Sequence, residues 1–177
     1  MRRMVFSFSV FHMLFLEVNI MKNKKVLLAG SVAIPLAVGA ISGFLTRGGM
    51  MEFVLLEKPP LSPPAWLFPV AWTILYILMG VASWLVMTSG EEEETIDRAQ
   101  TIYFYQLVVN FLWPIFFFQF QWYLFSFFWL LLLWVLVLVM IRQFAKISRL
   151  AAILCIPYLL WLTFAAYLNF GVWWLNR

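Results

Sequence analysis

The sequence predicts an all-α membrane protein built as a bundle of five transmembrane helices. Of its 177 residues, 65% are hydrophobic and only 11% are charged, whereas a soluble domain has about 25% charged residues. Several uncharged runs approach or exceed the roughly 20 residues that a helix needs to cross the hydrocarbon core. The runs are apolar on all sides, unlike the alternating strands of a membrane barrel. This composition excludes a soluble enzyme and a nucleic-acid-binding protein.

The first two spans have clear ends in the sequence. Span one is predicted over residues 26–46, directly after a cluster of lysines. Residues 47–64 form a connecting loop, because paired glycines stand at one end and two Pro-Pro pairs at the other. Span two is predicted over residues 65–88 and ends before Gly90 and the acidic run 91–94.

The remaining three spans follow from two further uncharged stretches. The run 99–141 is about twice the length that one crossing needs. Its one polar cluster lies at residues 119–123, which places a turn there between span three (99–119) and span four (123–141). A basic loop follows, and the last span is predicted over residues 150–175.

The distribution of lysine and arginine predicts the orientation, because cytoplasmic loops carry an excess of both. With five spans, the N-terminus and the second and fourth loops share one side. That side holds Lys22, Lys24, Lys25, Arg98, Arg142, Lys146 and Arg149. The other side holds only Arg47, Lys58 and Arg177. We therefore expect the N-terminus in the cytoplasm and the C-terminus outside.

Residues 1–20 form an N-terminal extension that has three interpretations. It is a start placed upstream of the true start at Met21, an interfacial amphipathic helix, or a signal segment with a basic end and an apolar stretch. In each case residues 21–177 form one membrane domain. The only histidine, His12, lies in the extension, and the only cysteine is Cys155. We expect no metal site and no required cofactor.

Aromatic residues make up 20% of the chain, and their spacing places some of them on inward helix faces. Residues three and four apart share a helix face. In span three this face comprises Tyr103, Gln106, Asn110, Trp113 and Phe117. In span two it comprises Trp72, Tyr76, Gly80 and Trp84, and in span five Tyr158, Trp161, Ala165 and Asn169. Amide side chains are costly in hydrocarbon without partners, so these faces should look into the bundle.

These residues have a simpler interpretation beside the functional one. Trp and Tyr near span ends usually form the interfacial belt, which accounts for Trp66, Trp122, Tyr123, Trp173 and Trp174. Trp72, Trp113 and Trp161 lie deeper and either line a cavity or pack against neighbouring helices. Gln106 and Asn110 either bond to neighbouring helices or contact a ligand.

The spans lack the side chains that catalysis or ion coupling needs. They contain no Ser/His/Asp set, no metal cluster and no ionisable Asp, Glu, Lys or Arg at depth, whereas pumps and proton-coupled carriers depend on such groups. What remains is a cavity of aromatic and amide groups, suited to a flat apolar ligand that stacks on the rings. Lys58 and Arg47 could pair with ligand carboxylates at its mouth.

Three segments in order resemble the TspO/MBR family, the tryptophan-rich sensory proteins and translocator proteins also called peripheral benzodiazepine receptors. Residues 56–80 (LEKPPLSPPAWLFPVAWTILYILMG) resemble its signature. Residues 106–113 (QLVVNFLW) and 157–169 (PYLLWLTFAAYLN) resemble its third-helix and fifth-helix motifs. The resemblance covers about residues 21–176.

The resemblance implies a five-helix bundle, often a homodimer, in a bacterial cell membrane, with a pocket that opens toward the loop between helices one and two. Family members bind porphyrins, haem and synthetic drugs, and some are reported to promote light-dependent porphyrin breakdown. The ligand-binding residues that the resemblance implies are Trp72, Tyr76, Asn110, Trp113, Trp161 and Ala165. We add Gln106, which lies on the inward face of span three. No catalytic residue is implied unless porphyrin breakdown occurs, in which case Trp72 and Trp161 take part.

Two departures from the family pattern stand out. The family often has a Trp-Tyr pair six residues before the Lys-Pro, where this chain has Glu52 and Phe53. The sterol motif at the end of the fifth helix is missing, because Phe170 replaces its tyrosine and Tyr167 lies too far from Arg177. These departures leave sterol binding without support. From the resemblance as a whole we expect a porphyrin or haem sensor or receptor in the bilayer, with a carrier of porphyrins or other lipophiles and a weak photo-oxidative enzyme as alternatives.

Overall fold

A computed structural model describes residues 23–177 as five long helices with short connections. Helix α1 spans Lys24–Phe53, α2 Leu67–Met87, α3 Glu93–Pro114, α4 Tyr123–Ile147 and α5 Arg149–Leu175. One π-helical segment, Ile115–Gln119, continues α3. All five helices are long and apolar enough to cross a membrane, which confirms the predicted helical membrane architecture. The N-terminal extension, residues 1–20, lies outside the described residues.

Helix α1 runs past its predicted end near Thr46 to Phe53, so Gly48 and Gly49 are helical rather than in a loop. Glycine in a helix costs about 1 kcal/mol relative to alanine. Packing at the end of the helix outweighs that cost. The Phe53 ring lies 5.6 Å from the Phe117 ring and 5.4 Å from the Phe118 ring, and Gln121 donates a hydrogen bond to Glu52.

The two connections on the opposite side are also shorter than the sequence predicts. Helix α3 begins at Glu93, with Glu93 and Glu94 in its first turn, where negative charge is favourable. Helix α4 continues through Arg142 and Lys146, so the predicted basic loop is mostly helix. Only Ser148 separates α4 from α5, and its hydroxyl accepts a hydrogen bond from the Ala151 N–H as the N-cap of α5.

The helices form a ring in the order α1, α2, α5, α4, α3. Helix α2 packs between α1 and α5, α4 packs between α3 and α5, and the π-helical end of α3 packs on α1. Buried apolar side chains of α2 to α5 form one continuous core. The inward face of α4 carries a stripe comprising Ser126, Leu130, Leu133, Val137, Met140 and Phe144.

Two glycines allow α1 and α2 to approach closely. A Cβ atom on Gly80 would lie 2.6 Å from the Ser31 carbonyl oxygen and 2.7 Å from Val32 Cα. A Cβ atom on Gly39 would collide with the Tyr76 ring. Gly43, the second glycine of the Gly39-x-x-x-Gly43 pair, has open space around it. Gly39 is therefore used for packing within the chain.

Residues 54–66 connect α1 to α2 and cross the end of α5; we call this segment the strap. The Asn176 amide bonds both the N–H of Glu57 (3.0 Å) and its carbonyl oxygen (2.9 Å). The Tyr167 hydroxyl donates to the Pro60 carbonyl oxygen at 2.8 Å. The strap therefore closes one end of the bundle, which we call the strap end.

Candidate functional site

Five aromatic rings from α2 and α5 meet inside the bundle, between its middle and the strap end. Trp72 stacks on Tyr76 with ring centroids 5.5 Å apart and planes at 28°. Edge-to-face contacts join Trp72 to Tyr158 at 6.0 Å and to Trp161 at 6.4 Å. Phe68, just inside α2, contacts the edge of Trp161 at 6.0 Å. We call Phe68, Trp72, Tyr76, Tyr158 and Trp161 the aromatic cluster.

A chain of buried hydrogen bonds lies beside the cluster and joins α2, α3 and α5. The Tyr76 hydroxyl donates to Asn110 Oδ1 at 2.7 Å. Asn110 Nδ2 donates to the Tyr158 hydroxyl at 2.7 Å, and that hydroxyl donates to Gln106 Oε1 at 3.1 Å. Gln106 is fully buried, and its Nε2 lies 3.8 Å from Met79 Sδ. In this state Asn110 and Gln106 bond to neighbouring helices, as one of the two sequence interpretations proposed.

A second polar contact holds the strap-end half of the bundle together. Trp113 Nε1 donates to Asn169 Oδ1 at 3.1 Å, and Asn169 Nδ2 donates to the Tyr123 carbonyl oxygen at 2.8 Å. Trp113 also stacks on Phe117 at 5.1 Å. Trp113 is therefore held through both its indole N–H and its ring face, and within residues 23–177 no ring contact joins it to Trp72 or Trp161.

The indole N–H of Trp161 differs from those of Trp84, Trp113 and Trp129. Trp84, Trp113 and Trp129 each donate to an oxygen. The Nε1 atom of Trp161 is buried and has no hydrogen-bond partner within residues 23–177. A buried unpaired donor costs about 1–3 kcal/mol. An acceptor atom placed beside Trp161 would therefore recover this energy.

The two cations predicted at the pocket mouth lie near the strap end. Lys58 is exposed, its Nζ donates to the Val54 carbonyl oxygen at 3.1 Å, and it lies 5.3 Å from the Phe53 ring centre. Arg47 belongs to α1, and its guanidinium lies 4.5 Å from the centre of the exposed Phe44 ring. Arg47 lies on the exposed side of α1, whereas Lys58 belongs to the strap.

Glu52 and Phe53, which stand where the family often has a Trp-Tyr pair, join the end of α1 to α3. Phe53 contacts Phe117 and Phe118 in the π-helical end of α3, and Glu52 accepts a hydrogen bond from Gln121 in the turn after it. This segment therefore closes α1 on α3 and leaves the strap, residues 54–66, to cover α5.

The structure brings most of the predicted site residues together and adds others. Trp72, Tyr76 and Trp161 form the cluster, Asn110 and Gln106 form the hydrogen-bond chain, and Ala165 is buried in the core one turn from Trp161. Tyr158 was placed on the same helix face but is central, because it joins the rings to both amides. Phe68 carries no sequence pattern that would have singled it out.

Among residues 23–177, every buried polar side chain outside the aromatic residues and Cys155 is a hydroxyl or an amide. They are Ser31, Ser42, Thr46, Ser83, Gln106, Asn110, Ser126 and Asn169. The chemistry this interior offers is therefore ring stacking and neutral hydrogen bonding. The described residues also contain no group of three or more metal-ligating side chains.

Comparison with known proteins assigns the chain to a family. The profile of the TspO/MBR family matches residues 31–175. The chain belongs to the TspO/MBR family. This confirms the resemblance of the three sequence motifs, and it makes the chain an integral membrane protein of the TspO type.

Relatives of this family come from distant organisms. The tryptophan-rich protein TspO of Chlorobaculum tepidum is 38% identical over 87% of this chain and 99% of its own length. The tryptophan-rich sensory protein of Cereibacter sphaeroides is 36% identical over 68% of this chain and 74% of its own. The translocator protein of Bos taurus is 33% identical over 81% and 86%, respectively.

Proposed function

We propose that this TspO/MBR protein is a membrane sensor or receptor that binds porphyrin-like tetrapyrroles in the aromatic cluster. The observation that carries the proposal is the buried, unpaired indole N–H of Trp161, in a ring that contacts Trp72. A flat conjugated ligand with acceptor groups at its edge can use both features. The name of the Cereibacter sphaeroides relative, a sensory protein, agrees with this class.

Stacking would supply most of the affinity. Aromatic pairs contribute about 0.5–1.5 kcal/mol each beyond the burial of apolar area. Trp161 already contacts both Trp72 and Phe68, so a ligand enters by separating rings and replacing ring–ring contacts with ring–ligand contacts. The exchange preserves stacking and adds an acceptor for the Trp161 N–H.

Porphyrins also carry carboxylates, and the strap end offers cations for them. Lys58 is exposed on the strap, and Arg47 is exposed near the end of α1. A shift of either side chain away from its aromatic partner, Phe53 or Phe44, would free it for a carboxylate. On this proposal the macrocycle lies against the cluster and the propionates extend toward the strap.

The strap end is the outer end if the excess of basic residues marks the cytoplasm. The opposite end of the bundle carries Lys24, Lys25, Arg142, Lys146 and Arg149. A ligand would then reach the site from outside the cell or from the bilayer. This orientation belongs to the proposal.

Titration of the purified protein with protoporphyrin IX, followed by tryptophan quenching, tests the proposal. Trp161→Phe keeps a ring but removes the N–H, so we expect affinity to fall by up to roughly tenfold, as for the loss of one hydrogen bond. Trp72→Phe removes stacking area and should also weaken binding. Trp66→Phe is the matched control, because Trp66 is largely exposed at the strap end. Unchanged affinity in both cluster variants would refute the site.

Two alternatives give different results. A carrier, which the translocator names of relatives suggest, would move porphyrin steadily across proteoliposomes. A photo-oxidative enzyme, with dioxygen as oxidant and Trp72 and Trp161 in contact with the macrocycle, would bleach the porphyrin in light and lose this activity in Trp161→Phe. Binding with neither result supports the receptor.

A further inference from the structure

A groove of about 320 Å³ lies on the exposed face of α5 at the strap end. Its walls include Pro59 and Pro60 of the strap and Phe170, Gly171, Trp174 and Leu175 of α5. This volume is at the low end of the roughly 300–1,000 Å³ of small-molecule pockets. It is large enough for a hydrocarbon chain.

The groove faces away from the bundle. Phe170 and Trp174 are 41% and 50% exposed, lie one helical turn apart, and stack with centroids 6.2 Å apart. On a membrane-spanning helix this face contacts the bilayer. A lipid acyl chain is therefore the occupant that the surroundings provide.

A cation, Arg177, lies on one of the residues that line the groove. The Arg177 guanidinium lies 3.5 Å from the centre of the Trp174 ring. Within residues 23–177 no acidic side chain forms an ion pair with it. Arginine is well suited to bind phosphate, with a planar group that donates two parallel hydrogen bonds. The charge favours a lipid with an anionic headgroup.

The residues that line the groove also hold the strap against α5. Pro59 is buried against Gly171, and a Cβ on Gly171 would lie only 2.6 Å from Pro59 Cβ. The adjoining Glu57 is held by Asn176, and Pro60 by Tyr167. Gly171 lies about 15 Å along α5 from Trp161 at 1.5 Å per residue. A chain in the groove would contact both the strap and α5.

We propose that an acyl chain of an anionic phospholipid binds in this groove, with its phosphate on Arg177, and holds the strap closed over the bundle. Bilayer composition would then control access to the aromatic cluster through the strap. Lipid binding and strap closure do not depend on which ligand the cluster binds, whereas the control of access rests on the proposed function.

Hydrogen exchange of the strap, in the full chain without porphyrin, tests this directly. The reporters are the amides of Glu57 and Ser62, which are hydrogen-bonded to Asn176 and Pro59. The protein is placed in nanodiscs of phosphatidylcholine alone, or of phosphatidylcholine with an equal part of phosphatidylglycerol. A lipid that binds only the closed state slows opening by mass action, so we expect roughly tenfold slower exchange with phosphatidylglycerol.

Four variants separate the groove from bulk charge. Arg177→Gln should abolish the effect of phosphatidylglycerol, and Arg177→Lys should keep most of it. Arg47→Gln removes the same charge near the same end of the bundle and should keep the effect. Leu175→Trp narrows the groove while Arg177 stays, and should abolish it.

Three results would overturn the proposal. One is equal strap exchange in both types of nanodisc. Another is loss of the effect in Arg47→Gln as well as in Arg177→Gln, which would indicate general surface charge. The third is the same protection in phosphatidylcholine nanodiscs that contain cholesterol, which would assign the groove to a sterol.

Discussion

The hydroxyl of Tyr76 on α2 and the Oδ1 atom of Asn110 on α3 lie 2.7 Å apart in the buried centre of the bundle. The Asn110 amide also donates to Tyr158 on α5. One side chain therefore connects three of the five helices, at a depth where water is not available to replace a lost partner. Because Tyr76 and Tyr158 belong to the aromatic cluster, the same hydrogen bonds hold two of its rings in place.

Replacing Asn110 tests how much the connection stabilises the bundle. Asn110→Ala leaves the Tyr76 and Tyr158 hydroxyls without one partner each, and we expect a loss of about 1–3 kcal/mol in the free energy of unfolding. Thermal unfolding in detergent micelles measures it. Val108→Ala, at an exposed position on the same helix, is the control. Equal stability of the two variants would show that the connection is dispensable.

Two glycines on facing helices should respond in opposite ways to alanine. In Gly80→Ala the new Cβ meets the backbone of Ser31 and Val32 at 2.6–2.7 Å, so overpacking should destabilise the fold by about 1–3 kcal/mol. In Gly43→Ala the Cβ meets nothing within 4 Å, and the better helix propensity should leave stability unchanged or raise it by up to about 1 kcal/mol. Melting temperatures of the two variants, compared with the unchanged chain, decide this. A stable Gly80→Ala protein would contradict the close approach of α1 and α2.

Metal-free porphyrin should bind about as well as haem. The only histidine in the chain, His12, lies in the N-terminal extension, and the proposed site offers rings, amides and an indole N–H. Binding then depends on stacking and on carboxylate pairing rather than on an iron ligand. Parallel titrations with protoporphyrin IX and haem, using a chain that begins at Met21, measure the ratio. Tight haem binding with none of the metal-free ring would contradict the proposed mode of recognition.

The orientation can be tested with single cysteines. The native Cys155 is fully buried, so it should not react with a membrane-impermeant maleimide and can stay in place. Ser62→Cys on the strap should be labelled in intact cells. Glu92→Cys, between α2 and α3, should be labelled only after the cells are opened. The reverse pattern would place the strap end in the cytoplasm.

The sequence by itself determined the fold class, the five helices and most of the inward faces. Apolar runs of membrane length permit little other than helices, because every backbone group in hydrocarbon needs a partner within the segment. The three-and-four spacing then placed Tyr76, Asn110 and Trp161 on inward faces. The three motifs identified the family, which the profile match confirmed.

Only the tertiary structure decided how those residues are used. It showed that Asn110 and Gln106 are bonded to Tyr76 and Tyr158, and that the Trp161 N–H has no partner. It also showed that α1 extends to Phe53 and that two hydrogen bonds join the strap to Asn176. Periodicity gives the direction of a side chain from its own helix, but these contacts depend on helix order and on backbone atoms distant in the sequence, which leave no pattern along the chain.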